Sequence, residues 1–266
     1  MNRWFFRHKT FFRISWNISG WTLVALLFML YSPWWLLGGL LVLFLSSMFN
    51  QSCRGMEMNE AVKKLNDECD PDPMQKIIEE QIVDKRVRPG GTYMTLLQVN
   101  KACTLAVTGQ REENLRLLRE INIDAKAGIL PVVKYTYYNN LASAYMDVDD
   151  FRPVEYLLEK SEQLFSCLSA KTKAQKGRLY AYNLTLASYK LYLREFDEAA
   201  ALADSIDETD ACKRLIVAKH MLKAEILIAQ EKTDEAIPHL QYVVENGNKL
   251  FVVTEAKELL SAINEK

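Results

Sequence analysis

A chain of 266 residues can form one or two domains, and 49% apolar with 25% charged residues is the composition of a folded protein. The formal net charge of −1 hides an asymmetry: residues 1–54 carry five Lys or Arg and no Asp or Glu, leaving 28 basic and 34 acidic residues beyond Arg54. An acidic remainder with no basic stripe of interleaved aromatics argues against nucleic acid as a partner.

The chain starts with the basic flank MNRWFFRHKTFFR, and residues 14–53 after it contain no Asp, Glu, Lys, Arg or His. A single spanning helix needs about 20 apolar residues, so the run from Trp16 to Phe49, interrupted at Ser32-Pro33, is long enough for two short spans. Trp16 and Trp21 mark one interface and Tyr31, Trp34 and Trp35 the other, whereas a single span would bury the adjacent tryptophans in hydrocarbon. A kinked or re-entrant segment is the alternative reading. Gly38-Gly39 would let two spans approach closely. Basic residues on both flanks (Arg3, Arg7, Lys9 and Arg13 before, Arg54, Lys63 and Lys64 after) favour both ends in the cytoplasm. The run is too long for a cleaved signal peptide and lacks a small-x-small site.

From Gly55 to Arg88 the sequence turns polar. Residues 59–73, NEAVKKLNDECDPDP, predict a helix capped by Asn59, with Ala61, Val62 and Leu65 on one face and a stop at the Asp-Pro pairs. Met74 to Val83 predicts another short helix, and Arg88-Pro89-Gly90-Gly91 a turn or linker. This stretch would cap the helices on its C-terminal side and couple them to the membrane.

Four helical hairpins can be laid along the rest of the chain. Tyr93 to Glu120 places Ala102 and Leu105 on a first helix, Gly109 in the turn, and Leu115 and Leu118 on a second. Tyr138 to Ser161 has Leu141, Ala142 and Tyr145 on one face; Val148-Asp149-Asp150-Phe151 breaks the period, and Val154, Leu158 and Ser161 resume it. Tyr180 to Ile206 uses Leu186 and Ala187, then Phe196, Ala199 and Ala203. Lys219 to Val244 uses Ala224 and Leu227, then Ala236, Leu240 and Val243. The small residues Ala102, Ala142, Ala187 and Ala224 are 40, 45 and 37 positions apart, with the extra length expected in residues 121–133 and 167–178. After Gly247, an amphipathic run with Val253, Ala256, Leu259 and Leu260 on one face predicts a terminal helix that seals the last hairpin.

Leu141, Ala142, Tyr145, Asp150-Phe151, Val154 and Leu158 resemble the tetratricopeptide repeat pattern, with Val154 standing where that family usually has Ala. EFDEAAALA, residues 195–203, is similar in the same way. The resemblance implies a solenoid of antiparallel helix pairs whose concave face holds a protein or peptide segment, and it implies no catalytic residue. By that layout the groove comes from the first helix of each hairpin: Val99 and Cys103; Asn139, Ser143 and Met146; Leu184, Ser188 and Tyr192; Met221, Glu225 and Ile228. No Lys stands at the matching positions of the first hairpin, so the Lys-and-Asn grip on a C-terminal carboxylate used by some of these repeats is not supported. Apolar pockets and amide hydrogen bonds holding an extended or helical segment fit better.

No chemistry-bearing motif accompanies this pattern. His8, His220 and His239 form no HExxH arrangement, no glycine-rich phosphate loop occurs, and the five cysteines include no CxxC pair. Reduced thiols, packing or helix-surface histidines, and acidic clusters that mark turns are the expected roles, with no metal, no cofactor and no catalytic residue. The expected fold is all-α, an N-terminal transmembrane helical hairpin followed by a solenoid like that of tetratricopeptide repeats. Its parts are a basic flank over 1–15, the hairpin over 16–50, a helical connector and cap over 51–91, and the repeat domain with its capping helix over 92–266. The expected role is a scaffold or adaptor at the cytoplasmic face of a membrane. The alternative is a membrane-tethered sensor whose solenoid changes shape on binding a peptide or small ligand.

Overall fold

The structure, a computed structural model, describes residues 19–20, 22, 34–84, 87, 91–126, 128–166 and 173–265. All regular structure among them is helical: α1 (Trp34–Glu68), α2 (Asp72–Ile82), α3 (Thr92–Val107), α4 (Arg111–Glu120), α5 (Pro131–Met146), α6 (Val154–Ser166), α7 (Lys173–Tyr192), α8 (Phe196–Asp204), α9 (Lys213–Ala229), α10 (Thr233–Asn246) and α11 (Val252–Asn264). The fold is all-α. The chain divides into two compact units, Met1–Glu60 and Ala61–Lys266.

In the first unit α1 begins at Trp34, and it runs without a break through Asn59 to Glu68. Asn59 is therefore an interior helical residue and not a cap, because the helical run upstream leaves it no free N-terminus to satisfy. Leu40, Leu41, Leu43, Phe44, Leu45 and Met48 are exposed, while Gly20 lies so near Val42 that a Cβ there would meet its side chain at 3.4 Å. Among the described residues no helix is long and apolar enough to cross a membrane. Most of the first expected span, residues 16–18, 21 and 23–33, lies outside them.

The second unit is built from four helix pairs, α3–α4, α5–α6, α7–α8 and α9–α10, each folded back by a short link. Each first helix ends in the same way, at a residue with left-handed backbone: Gly109 (φ 78°), Asp149 (58°), Arg194 (61°) and Glu231 (64°). The next N–H reaches back five residues to a carbonyl, Gln110 to Leu105 at 2.9 Å, Asp150 to Tyr145 at 3.0 Å, Glu195 to Lys190 at 2.9 Å and Lys232 to Leu227 at 2.9 Å. These are Schellman caps, which satisfy the last carbonyls of a helix and turn the chain sharply.

Counted from that turn residue, the four pairs share one register. Seven positions before it stand Ala102, Ala142, Ala187 and Ala224, all with no exposure. Five positions after it stand Asn114, Val154, Ala199 and Ala236, and nine after it Leu118, Leu158, Ala203 and Leu240, all buried. A methyl side chain at the crossing lets the two helix axes approach closely, and the larger residues one turn away fill the space on either side.

Neighbouring pairs are joined by polar ties as well as by apolar packing. The Tyr135 hydroxyl donates to the carbonyl of Arg178 at 2.7 Å, linking the second pair to the third. Between α4 and α5, Ile121, Ile123 and Ile129 are buried in the core, and Tyr138 donates to Asp124 at 2.7 Å, so the additional length there contributes three isoleucines to the packing. The other expected insertion is partly helix, since α7 starts at Lys173; residues 167–172 lie outside the described set.

The last helix does more than seal the last pair. Val253 and Ala256 of α11 are buried beside α10, while the N–H of Phe251 donates to the carbonyl of Val107 at 2.9 Å and its ring lies on Gly109. Asn248 donates to the carbonyl of Glu68 at 2.8 Å, Lys249 pairs with Asp70 at 3.0 Å, and Arg214 donates to Asn66 at 3.0 Å. The end of the unit is thus fastened to its beginning.

Two substitutions test the shared turn. Side chains other than glycine resist left-handed backbone by about 1–2 kcal/mol, partly offset by the freedom glycine adds to the unfolded chain. Glu231→Gly is expected to raise unfolding free energy by about 0.5–1 kcal/mol, read from denaturant midpoints. Gly109→Ala combines left-handed backbone with a methyl directed into the Phe251 ring and is expected to lower it by roughly 2–4 kcal/mol.

Candidate functional site

The residues expected to line a groove fall at equivalent places in the four pairs. Ten positions before the turn residue are Val99, Asn139, Leu184 and Met221; six before it are Cys103, Ser143, Ser188 and Glu225. A spacing of four residues stacks these two rows on one helical face. The rows differ in access. Val99, Asn139 and Met221 are buried in the packing between pairs and Leu184 is half-buried, whereas all four residues of the second row are half-buried, as are Met146 and Ile228. The second row is therefore the part of this face that is open to solvent.

Tyr192 departs from the row. It is exposed and stacks on Phe151, with ring centroids 3.5 Å apart and planes 3° from parallel, and Tyr189 lies beside it. Together with Asp149, Asp150 and Arg152 these rings line a shallow open recess at the link of the second pair. Asp150 is held by Arg152 in a two-point contact at 2.8 and 2.9 Å, which lowers the carboxyl's proton affinity.

A cluster of charged groups gathers Asp147 at the end of α5, Glu225 in the middle of α9, Glu255 on α11 and Arg111 at the start of α4. Arg111 pairs with Glu255 and lies 5.6 Å from the centroid of the Phe251 ring. Burial pushes the Asp147 carboxyl up to about 6, with Arg111 opposing and Glu255 adding to the rise. Burial likewise pushes Glu225 up to about 7, helped by the negative charges of Glu255 and Asp147 and opposed by Arg111. One cation is shared among three carboxyls. Of these four groups only Glu225 was among the expected groove residues. Sequence reasoning missed the others because Arg111 and Glu255 are 144 positions apart and no local spacing marks them as neighbours.

His220 and His239 pack against each other. Nδ1 of His220 and Nδ1 of His239 are 2.9 Å apart, and the His220 ring stacks on Tyr242 at 3.9 Å. Burial pushes His220 down to about 4, and the neighbouring His239 adds to the fall. Lys219, buried beside this pair, donates to the carbonyl of Ile206 at 3.0 Å and to Glu208 at 2.8 Å. Among the described residues no group of three or more His, Cys, Asp or Glu is placed to hold a metal ion.

Compared with models of known families, with curated proteins and with solved structures, the chain matches none.

Several buried polar atoms have no hydrogen-bond partner, among them the Asn139 Oδ1 on the groove face and the Ser161 Oγ twelve positions after the second turn residue. At Ser161 the equivalent residues are Ile121, Ile206 and Val243, so the hydroxyl sits where the register calls for an apolar group. Removing it takes away an unsatisfied buried dipole at little cost in volume. Ser161→Ala is expected to raise stability by about 0.5–1 kcal/mol in denaturant unfolding.

Proposed function

We propose that this protein is a membrane-anchored helical-repeat adaptor, similar in plan to tetratricopeptide repeat proteins, that holds a protein or peptide segment on the inner face of its first helices. The observation that carries this reading is the common register. Four pairs present the same half-buried row, Cys103, Ser143, Ser188 and Glu225, flanked by Met146 and Ile228. Repeated pairs with a shared face suit an elongated ligand, which meets one position per pair, better than a compact substrate.

The anchor rests on the uncharged run of residues 14–53 and on the exposed side chains of Leu40, Leu41, Leu43, Phe44, Leu45 and Met48. An apolar helix surface of this kind is at home in lipid or against another apolar helix. Gly20 beside Val42 supports a hairpin, because a glycine at a helix contact allows close approach. Basic flanks on both sides favour a cytoplasmic helical unit by the positive-inside rule. Tethering to a surface raises the effective concentration of a partner that shares the membrane, so a groove of modest affinity suffices. The protein acts in this reading by offering surface, with no chemical step of its own.

The test is recovery of a defined partner by crosslinking in solubilised membranes. Replacing Ser143 and Ser188 together by Arg places two bulky cations on the accessible row and is expected to lower partner recovery roughly tenfold or more while the helical content and melting transition persist. Undiminished recovery moves the interface off this face. Topology is read separately: a membrane-impermeant thiol reagent added to intact cells is expected to leave Cys212 unlabelled until the membrane is permeabilised, and labelling in intact cells overturns the cytoplasmic placement.

A further inference from the structure

The link of the second pair and the end of α7 bring three aromatic rings together at the surface. Phe151 follows the left-handed residue Asp149 by two positions, and its ring lies face to face with that of Tyr192, centroids 3.5 Å apart. Tyr189, one turn earlier on α7, continues the row at 6.4 Å from Tyr192 with planes 21° apart. Tyr192 nonetheless keeps 52% of its surface exposed. Phe151 covers one face of its ring, so the exposed part is the remaining face and the edge.

The charges around these rings do not balance. Arg152 is spent on Asp150, which it holds at 2.8 and 2.9 Å, and Arg119 acts on the same carboxylate. Lys190 is spent on Glu195 and on Glu198, the latter at 2.8 Å. Arg194, exposed beyond the end of α7, is not among the residues that line the recess. Two carboxylates are left over. Asp149 is exposed in the lining of the recess, and Glu155 is exposed on α6, near enough to Tyr189 to act on its hydroxyl. Neither carboxylate has an ion pair or a hydrogen bond among the described residues.

The recess has a volume of about 630 Å³ and is open to solvent. Small-molecule sites bury most of their ligand, which an open recess does not do. It does admit the end of a long side chain presented by another protein.

We propose that this recess is a docking point for an arginine of a partner protein, whose guanidinium lies on the open face of Tyr192 and pairs with Asp149. A guanidinium is flat and weakly hydrated, so it stacks on an aromatic face while its edge donates to a carboxylate. An ammonium, compact and strongly hydrated, gains less from the ring. A proline-rich segment would use the rings and leave the carboxylate without a role. The proposal stands without the adaptor reading: it is tested by peptide binding to the purified protein, whereas the row of Cys103, Ser143, Ser188 and Glu225 is tested by partner recovery.

The test is fluorine NMR on the full-length protein in detergent, with fluorotyrosine in place of tyrosine. The Tyr192 and Tyr189 signals are those lost in Tyr192→Phe and Tyr189→Phe. The probe is the blocked pentapeptide GSRSG, compared with GSKSG and with a pentapeptide of proline alone. GSRSG is expected to shift the Tyr192 signal in a saturable way and to bind roughly threefold or more tighter than GSKSG. Read at the Tyr189 signal, Tyr192→Phe is expected to keep the affinity for GSRSG because the ring face remains, whereas Tyr192→Leu lowers it about fivefold or more. Asp149→Asn is expected to lower it about threefold or more, and the turn persists because asparagine tolerates left-handed backbone. The absence of a shift with GSRSG overturns the proposal, as do equal affinities for GSRSG and GSKSG. Tighter binding of the proline peptide, or full affinity in either Tyr192→Leu or Asp149→Asn, overturns it as well.

Discussion

The helical unit depends on one close contact repeated four times, in which an alanine seven residues before a left-handed turn lies against the second helix of its pair. Ala102, Ala142, Ala187 and Ala224 leave no room for a larger side chain, and each is paired with a small or medium residue at the position five after the turn. Interiors at native density transmit such a constraint: once the axes are brought together, the bulky residues one turn away have a single place to go. The Schellman cap makes the contact possible by reversing the chain within a few residues while its N–H groups pair with carbonyls of the last turn.

The same register explains where the unit is tolerant. Asn114, Val154, Ala199 and Ala236 occupy one position with quite different side chains, and Gly109, Asp149, Arg194 and Glu231 occupy another. Three non-glycine residues at a left-handed position carry a backbone cost that the surrounding hydrogen bonds and packing outweigh. Only Gly109 is required to be glycine for a second reason, because the Phe251 ring rests on it. Local sequence preference and tertiary need coincide there and diverge at the other three turns.

The register also leaves some positions half-open. Residues ten before the turn are mostly buried and those six before it half-buried, so the reachable surface is narrower than periodicity alone suggests. Met146 and Ile228 add apolar area to it, and Glu225 brings a carboxyl whose proton is held by its surroundings. The first unit contributes a different property, an apolar helix surface that water does not favour.

Much of this was written in the order of residues. The hairpins over Tyr93–Glu120, Tyr138–Ser161, Tyr180–Ile206 and Lys219–Val244, the alanines on their first helices and the all-helical class follow from periods of three and four, which are local quantities; the turn residues Arg194 and Glu231 came from the structure. Asn59 misled because a cap residue signals a helix start only where the chain before it is not already helical. The access of Cys103 compared with Val99, the outward turn of Tyr192 onto Phe151, and the meeting of Arg111, Asp147, Glu225 and Glu255 were decided by the tertiary structure. Their physical reason is sequence separation: these contacts join residues far apart in the chain, as the Phe251 N–H meets the Val107 carbonyl, and no local period records which helices come together.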